Sequence, residues 1–421
     1  MVSVGTRGDV QPFVAVAQRL TARGHDVVVA SHREHEPFVR RHGCVFRDAG
    51  ASMRSVLESE LGRAWIESAD SLTRYARTMR AVGDAMWPAQ LAAAEAMTED
   101  VDAIVAHPFA LHAFHQAEAR RLPTVSAALV PFVPSRGVAP LFFPRLPAWG
   151  WLRLLLGNLT TRSVYATVAH HHEPYRATLG LPSARPDPFP KLRAAGVPVL
   201  HLYSPSLVPR PADWPADVGV TGFAFLPDDA SFVPPAGLER FLADGEPPIY
   251  VGFGSMTGKA PVELTATVVD AVRRARVRAV IGRGWGGTDP VEGDDVFVVE
   301  DVPHGWLFPR VRAVVHHGGV GTLAAGLRAG RPGVVAAFFG DQPFWGHALA
   351  ARGAGPRPLL RRQIDAASLA ASIGEVLGER RYSERARAVA AELAAEDGAG
   401  AAAAFLERHL TRPRPELWRR T

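Results

Sequence analysis

The chain has 421 residues, of which 47% are hydrophobic and 21% are charged, and its formal net charge is +5. This is the composition of a globular protein with room for about two domains, and it excludes a disordered chain and a disulfide-stapled mini-protein. The single cysteine, Cys44, excludes a disulfide framework and a cysteine-rich zinc site, and it indicates a reducing compartment.

The sequence shows no secretory leader, and its apolar stretches are interrupted before they reach about 18 residues. We therefore expect a cytoplasmic protein. The small excess of positive charge is not concentrated in a long basic run. The arginines of the tail at 412–420 are interpreted as a solvated end. We expect no nucleic-acid partner.

The first half of the chain alternates short apolar runs with helical patterns, which predicts βαβ units and a parallel sheet. A short first strand at 2–4 leads into a glycine-rich turn, as it would if the chain began inside that strand. Further strands are predicted at 27–30, 102–106 and 123–127, and helices at 12–23 and 110–121.

The same alternation resumes after a proline-rich stretch at 204–220, which has no periodicity and is predicted to be a linker. Strands are predicted at 249–253, 277–281, 296–299, 311–315 and 333–337, and helices at 261–274, 323–328 and within 365–410. The predicted organisation is therefore an N-terminal domain (1–203), the linker, a C-terminal domain (221–395), and a helix and tail (396–421) that packs back on the first domain. Ligands of such α/β halves bind at the carboxyl ends of the strands.

The sequence His-His-Gly-Gly-Val-Gly-Thr at 316–322 lies between a predicted strand and a predicted helix. Glycines let backbone N–H groups approach a ligand closely, and a helix N-terminus adds free donors and the positive end of a dipole. A histidine and a threonine add side-chain donors. We interpret this turn as a diphosphate cradle, with a tight turn that binds nothing as the alternative.

Two other glycine-rich loops, at 252–255 and 282–287, follow strands of the same half and are expected to converge on the cradle. Neither fits a dinucleotide fingerprint or a P-loop. Asp341 and Gln342 follow the last strand, where a carboxylate and an amide suit a polyol, although Asp341 could equally be a helix N-cap.

In the first half, the sequence Gly-Thr-Arg-Gly-Asp-Val-Gln-Pro at 5–12 follows the first strand. It is expected to face a cleft opposite the cradle, where Asp9 could act as a general base. Asp9 could also cap the following helix, and the two roles can coexist.

For three other features, a functional role is either not preferred or left open. Asp100 and Asp102 precede a strand, so their Asp-x-Asp spacing is not read as a metal site. The run His-His-His-Glu at 170–173 could bind a metal, but a solvated face is the preferred interpretation, because consecutive helix residues point in different directions. The apolar stretch 140–159 is left open as core, as a lid over an apolar acceptor or as a surface in weak contact with a membrane.

Together these motifs resemble the family-1 glycosyltransferases of the GT-B fold, with particular likeness to sterol 3-β-glucosyltransferases and bacterial natural-product glycosyltransferases. Residues 5–12 resemble the acceptor-side signature of that family, and 221–226 and 250–256 resemble the segments that open its donor domain. The segments 302–308, 316–322 and 340–342 reproduce its donor signature in order.

The resemblance implies two Rossmann-like α/β/α domains facing across a cleft, with Asp9 as the base where many relatives carry a histidine. It implies donor-binding roles for Gly254, Ser255, Trp285, Val302, His317, Gly319, Gly321, Thr322, Asp341 and Gln342. Acceptor-binding roles are expected for Thr6, Arg7, His107, Phe142 and Phe143. Plant-type relatives bind ribose with a glutamate where this chain has Ala325, so its ribose recognition is expected to differ.

The implied reaction is inverting and independent of metal and cofactor, with glucose from UDP-glucose passing to a large apolar acceptor such as a sterol, triterpenoid or polyketide. A dTDP-deoxysugar transferase, a sugar-nucleotide epimerase and a non-catalytic sugar-nucleotide-binding partner are the alternatives. Both a monomer and a dimer remain open.

Overall fold

The computed structural model describes residues 1–68, 71–229, 231–254, 261–283 and 293–410. The chain divides into two compact units. Unit 1 comprises Met1–Pro140, Leu146–Leu226 and the segment from Glu396 onward, and unit 2 comprises Leu141–Arg145 and Pro227–Ala395. No helix within the described ranges is long and apolar enough to cross a membrane.

Both units are α/β structures. The strands are β1 (Val28–Ser31), β2 (Val45–Asp48), β3 (Ile104–Ala106), β4 (Thr124–Ala128), β5 (Val199–His201), β6 (Val218–Val220), β7 (Ile249–Gly252), β8 (Ala279–Gly282), β9 (Val296–Val299), β10 (Val314–His316), β11 (Gly333–Ala337) and β12 (Leu359–Leu360). The helices are α1 (Arg7–Thr21), α2 (Glu36–Arg41), α3 (Met53–Glu58), α4 (Glu60–Glu67), α5 (Leu72–Met97), α6 (Leu111–Arg120), α7 (Gly150–Thr178), α8 (Pro188–Ala194), α9 (Leu238–Ala243), α10 (Pro261–Ala275), α11 (His304–Leu307), α12 (Val320–Arg328), α13 (Gln342–Ala351), α14 (Ala366–Gly378), α15 (Arg380–Ala394) and α16 (Gly398–Leu410).

The sheet of unit 1 is parallel. β3, β4, β5 and β6 pair in that order, and β1 pairs with β2. The predicted first strand is reduced to Val2, which bridges in parallel to Ala30 and to Ala106 and so joins the two ladders. Val2, Ala30 and Ala106 are buried in one apolar cluster, which stabilises this junction although only one residue bridges it.

The first helix begins five residues earlier than its prediction, at Arg7 instead of residue 12. The Asp9 carboxylate accepts the backbone N–H of Thr6 at 2.7 Å and the Thr6 hydroxyl at 3.1 Å, so the turn before Pro12 is already closed. Placing the helix start at the proline was therefore wrong, because a side-chain bond to the N-cap residue outweighs the preference of proline for the first helical turn.

The proline-rich segment that was predicted to be a linker is instead built into unit 1. Its last residues form β6, which pairs with β5. The Arg210 guanidinium donates to the carbonyl oxygens of Trp214 at 2.8 Å and Val218 at 2.9 Å, which fixes a stretch without any periodic pattern. Because bonds from one arginine to backbone carbonyls fix this segment, the hydropathy pattern of the sequence does not reveal its structure.

The C-terminal helix α16 packs on α1 within unit 1. Arg23 donates to the Glu407 carboxylate at 2.8 Å and to the carbonyl oxygen of Gly400 at 3.1 Å. Ala402 and Ala403 are fully buried, so two small side chains allow the close approach of this helix.

Unit 2 contains one six-stranded sheet in the order β12-β11-β10-β7-β8-β9, with every pair parallel. The strands over 296–299 and 333–337 have the predicted bounds. β10 lies at the centre, between β7 and β11, so the loops that follow these three strands are neighbours at one edge of the sheet. Apolar clusters cover both faces, as the continuous apolar strands require.

Histidines in the protein interior make the stability of the chain dependent on pH, and the pKa values of His115 and His172 are among those that burial lowers. Burial lowers the pKa to about 4 for His107 and His317, and to about 3 for His112, His201 and His316. The unfolded chain takes up these protons near pH 6.5, whereas the folded chain does not, so stability falls as the pH drops below that value. At pH 5.5 each such group costs about 1.4 kcal/mol, against a total stability of about 5–15 kcal/mol.

We therefore expect urea unfolding at pH 5.5 to give a free energy several kcal/mol lower than at pH 7.5. Burial also raises the pKa of Asp341 to about 6, which acts in the opposite direction between about pH 4 and 6, but this is one group against several histidines. Equal unfolding free energies at the two pH values would show that these histidines are protonated in the folded chain.

Candidate functional site

The turn between β10 and α12 has the geometry of an anion cradle. Gly318 adopts φ +94°, and a Cβ there would lie 2.9 Å from the backbone oxygen of Gln342 and 2.9 Å from a methyl carbon of Val335. Only glycine fits this conformation and this space. Gly319 is the N-cap of α12, and the first intrahelical bond of this turn is donated by Leu323 to Gly319. The N–H groups of Val320, Gly321 and Thr322 therefore lie at the open end of the helix.

The two histidines of the motif have different tasks. His316 is 1% exposed, and its Nδ1 accepts the backbone N–H of Gly318 at 3.1 Å, so it shapes the turn. His317 lies beside the end of β7, where a Cβ on Gly254 would be 3.3 Å from its Cε1. The buried Nδ1 of His317 has no hydrogen-bond partner among the described residues. The sequence places both histidines at the turn, but only this geometry separates the structural one from the one that can bind a ligand.

Burial keeps His317 neutral near pH 7, and a hydrogen bond to the Gly252 backbone opposes that shift only in part. A neutral imidazole can donate to an anion only through the nitrogen that carries its proton. A diphosphate at Nδ1 would therefore draw a proton to this atom. His317 is therefore suited to bind an anion, because the negative charge of the anion stabilises the proton on Nδ1.

The donor residues predicted in the loop after β11 are also brought to this edge. Asp341 Oδ2 accepts the indole N–H of Trp345 at 2.9 Å, and burial raises the pKa of Asp341 to about 6. Asp341 occupies the N-cap position of α13, but its side chain makes no cap bond. Above pH 6 it is thus a half-buried carboxylate with an orienting donor, a suitable acceptor for sugar hydroxyls. Trp345 is a residue that the sequence analysis missed, although its i+4 spacing from Asp341 on one helix is a usable signal.

Gln342 is more constrained than predicted. Its carbonyl oxygen Oε1 accepts the backbone N–H groups of Phe338 at 2.7 Å and Phe339 at 3.2 Å. The side chain therefore anchors the loop that carries Asp341. A role in sugar binding stays a prediction for the rest of its amide.

The remaining predicted donor residues fall into two groups. Val302 is 7% exposed and packs with Val299 and Leu307 in the apolar core, so its backbone is the part that could meet a nucleotide base. Ser255 and Trp285 lie outside the described residues.

Replacing Gly318 with alanine is expected to destroy the cradle. The substitution forces a side chain into the left-handed region, at a cost of about 1–2 kcal/mol, and drives its Cβ against the Gln342 backbone. Calorimetric titration with UDP should show the loss of affinity. Gly374 in α14 is the matched control, because a Cβ there meets nothing within 4 Å and UDP binding should not change. Unchanged affinity in Gly318→Ala would contradict this placement of the anion.

In unit 1, the predicted general base lies in the first turn of α1 and is half-buried. The two donors of Thr6 hold one oxygen of the Asp9 carboxylate, Oδ2. Gly5 has φ +133°, and a Cβ on it would collide with this carboxylate. His35 supports the turn by donating from Nε2 to the Gly5 carbonyl oxygen at 3.1 Å. The capping role of Asp9 is therefore present, and its carboxylate is held in one orientation.

The predicted acceptor residues are divided between the two units. Arg7 is exposed, with its guanidinium carbon 4.9 Å from the centre of the Phe38 ring. His107 follows β3, and its Nδ1 accepts the backbone N–H of Phe109 at 3.3 Å. Phe142 and Phe143 belong to unit 2, so their relation to the acceptor residues of unit 1 stays a prediction.

The apolar stretch 140–159 runs into α7 and is partly exposed. Trp149 is 58% exposed and Trp151 66%. Leu155 and Leu159 are also exposed and follow Trp151 at i+4 spacing, so the three lie along one face of the helix. Of the three interpretations left open, core is wrong for these residues.

Comparison with known proteins gives matches in both halves of the chain. Residues 1–137 match the model of the glycosyltransferase family 28 N-terminal domain, and residues 290–405 match the erythromycin biosynthesis protein CIII-like C-terminal domain. Solved structures with similar folds include the glycosyltransferase of kitacinnamycin (TM-score 0.67, 20% identity, 97% of this chain and 98% of that one). Another is the glycosyltransferase VinC in complex with dTDP (TM-score 0.67, 17% identity, 98% and 99%).

Curated relatives cover almost all of this chain. Two sterol 3-beta-glucosyltransferases of Arabidopsis thaliana, UGT80A2 and UGT80B1, are 35% and 34% identical over 97% and 98% of it. A sterol 3-beta-glucosyltransferase of Aspergillus clavatus is 32% identical over 97%. The chain spans 65% and 68% of the length of the two plant relatives and 29% of the fungal one. The parallel α/β units, the cradle and these likenesses establish that the chain has the GT-B fold and belongs to the glycosyltransferase family of the sterol 3-beta-glucosyltransferases.

Proposed function

We propose that the chain is an inverting glycosyltransferase that moves glucose from UDP-glucose to a hydroxyl of a large apolar acceptor such as a sterol, triterpenoid or polyketide. The observation that carries the proposal is the turn before α12. There, the first N–H groups of the helix and the buried, unpartnered Nδ1 of His317 meet the ends of β7 and β11.

In the proposed reaction the acceptor oxygen attacks the anomeric carbon while the Asp9 carboxylate takes its proton. The bond from that carbon to the diphosphate oxygen breaks, and the nucleoside diphosphate leaves with the electron pair. Aspartate is a weak base, so its effect depends on positioning and on an acceptor that becomes acidic as the new bond forms. The bonds from Thr6 supply the positioning. Transfer requires the acceptor at Asp9 to reach a sugar held by unit 2.

The leaving diphosphate is the other centre of developing charge. The N–H groups of the first turn of α12 supply donors that are already in place before the reaction, which is the most effective form of charge stabilisation. The imidazole of His317 adds a donor once the diphosphate has drawn a proton to Nδ1. Asp341 would hold sugar hydroxyls through its oriented carboxylate.

We expect transfer to need no metal ion, because the cradle places fixed donors where a metal would otherwise neutralise charge. Activity measured after dialysis against EDTA should equal that of the untreated protein. Loss of activity in EDTA that returns with Mg²⁺ or Mn²⁺ would contradict this expectation.

The acceptor class is supported by two observations. The curated relatives are named for transfer to sterols. The exposed stripe of Trp151, Leu155 and Leu159 suits an apolar acceptor or a weak contact with a membrane surface.

A second candidate, transfer of a dTDP-deoxysugar, is favoured by solved structures of similar fold that contain thymidine diphosphate, such as that of the Streptomyces sp. SF2575 glycosyltransferase SsfS6. Mass spectrometry of reactions that pair UDP-glucose or dTDP-sugars with a sterol, a triterpenoid, a macrolide and an aromatic polyketide decides between them. We expect a hexose adduct of an apolar acceptor with UDP-glucose. An altered sugar nucleotide formed without acceptor would indicate an epimerase, and binding without any product would indicate a non-catalytic partner.

A further inference from the structure

Two helices of unit 1 bring three metal-ligating side chains to one point. Asp84 lies on α5, and His170 and His171 lie on α7. Asp84 Oδ1 accepts from His170 Nε2 at 2.6 Å and from His171 Nε2 at 2.8 Å. The three ligand atoms lie within 4.8 Å of one another.

This arrangement corrects the interpretation of 170–172 as a solvated face. His172 does turn away, because it is fully buried and its Nδ1 shares a hydrogen bond with His115 Nε2 at 3.1 Å. The rings of His170 and His171, however, lie side by side with centroids 4.2 Å apart. Adjacent residues of a helix thus reach the same carboxylate, because the partner helix lies very close.

The helices α5 and α7 pack against each other next to Asp84. Gly83 of α5 faces Val168 of α7, where a Cβ on the glycine would lie 3.6 Å from a Val168 methyl carbon, an ordinary contact distance. The Trp87 ring also packs edge-on against His172, with centroids 4.5 Å apart. Buried packing therefore fixes the backbone on both sides of the three ligands.

The donor set selects a class of ion. Two imidazole nitrogens and one carboxylate oxygen suit Zn²⁺ and its neighbours in the transition series, whereas Mg²⁺ and Ca²⁺ prefer oxygen ligands alone. Tetrahedral Zn²⁺ at about 2.0–2.2 Å from each ligand would require the three atoms to separate to about 3.3 Å. The side chains are 49%, 31% and 21% exposed, so they have room for this shift and are open to an ion from solvent.

We propose that Asp84, His170 and His171 form a binding site for a divalent transition-metal ion, Zn²⁺ by their chemistry, with water completing the coordination. The bound ion would cross-link helix α5 to helix α7. None of the three residues belongs to the cradle or to the first turn of α1. The site is therefore separate from the transfer reaction, which is expected to proceed without it.

The test is calorimetric titration of the EDTA-treated, dialysed chain with zinc chloride. We expect one ion per chain, an upward shift of the thermal unfolding midpoint, and no response to magnesium chloride. Asp84→Asn, His170→Ala and His171→Ala should each weaken Zn²⁺ binding by about tenfold or more, since even residues outside the coordination sphere contribute that much in known sites. His25→Ala and Asp102→Asn, which lie outside the cluster, are the controls and should bind as the unmodified chain does.

A second readout is the visible absorption of bound Co²⁺, which reports ligand geometry and should vanish in His170→Ala and His171→Ala even if Asp84→Asn fails to fold. The proposal is overturned if the unmodified chain binds no Zn²⁺. It is also overturned if the cluster variants bind as tightly as the controls, since the affinity would then come from other histidines.

Discussion

Replacing Asp9 with asparagine is expected to lower the turnover number by about 10²–10⁴, the usual contribution of a general base. An asparagine carbonyl oxygen can still accept the N–H of Thr6, so the first turn of α1 should stay capped. Its neutral amide cannot take the acceptor proton. Steady-state transfer should therefore collapse while the free energy of unfolding, measured in urea, changes by no more than about 1 kcal/mol.

Two matched variants separate the base from the cap. Asp102→Asn removes an exposed carboxylate just before β3, at the opposite end of the strand from His107, and should leave turnover unchanged. Thr6→Ala removes one donor to Asp9 and retains the carboxylate, so it should lower turnover far less than Asp9→Asn. If Asp9→Asn keeps near-full turnover, another group or a water molecule takes the proton.

Replacing His317 with alanine is expected to lower the turnover number by about 10²–10³, as removal of one anion-stabilising donor does elsewhere. The effect should appear in turnover and in UDP affinity together, because the imidazole meets the diphosphate in both states. His317→Gln keeps an amide donor and should recover part of the loss. The measurement is steady-state kinetics alongside calorimetric titration with UDP.

The neighbouring histidine supplies the contrast. His316 holds the backbone of the turn through Gly318, so His316→Ala should lower the free energy of unfolding. His317→Ala should lower that free energy less, because it loses the bond to the Gly252 backbone while the buried Nδ1 of His317 has no partner in the described chain to lose. A fall in stability for His317→Ala with UDP affinity retained would assign the two histidines the other way round.

The sequence was sufficient to predict the parallel α/β core. Strands such as 296–299 and 333–337 are continuous apolar runs, which are typical of a parallel sheet covered on both faces. It was insufficient where a specific hydrogen bond decides the backbone. The start of α1 depends on Asp9 reaching Thr6, and the path of 204–220 depends on the guanidinium of Arg210. Hydrophobic periodicity does not predict such hydrogen bonds.

The candidate site shows the same division. The motif at 316–322 predicts which turn is special, since glycines, a helix start and polar side chains coincide there. It does not predict that the side-chain carbonyl oxygen of Gln342 accepts the backbone N–H of Phe338, or that Trp345 orients Asp341. These contacts join residues whose register depends on how a loop closes, which no spacing rule specifies. A solvated face was favoured over a metal site at 170–172 because no spacing within α7 shows that His170 and His171 meet Asp84 of α5.

A crystal structure of the chain with UDP tests the central claim most directly. The account predicts that the diphosphate oxygens lie within hydrogen-bond distance of the N–H groups at the start of α12 and of Nδ1 of His317, with the base near Val302. A nucleotide bound elsewhere, with this turn left free, would contradict it.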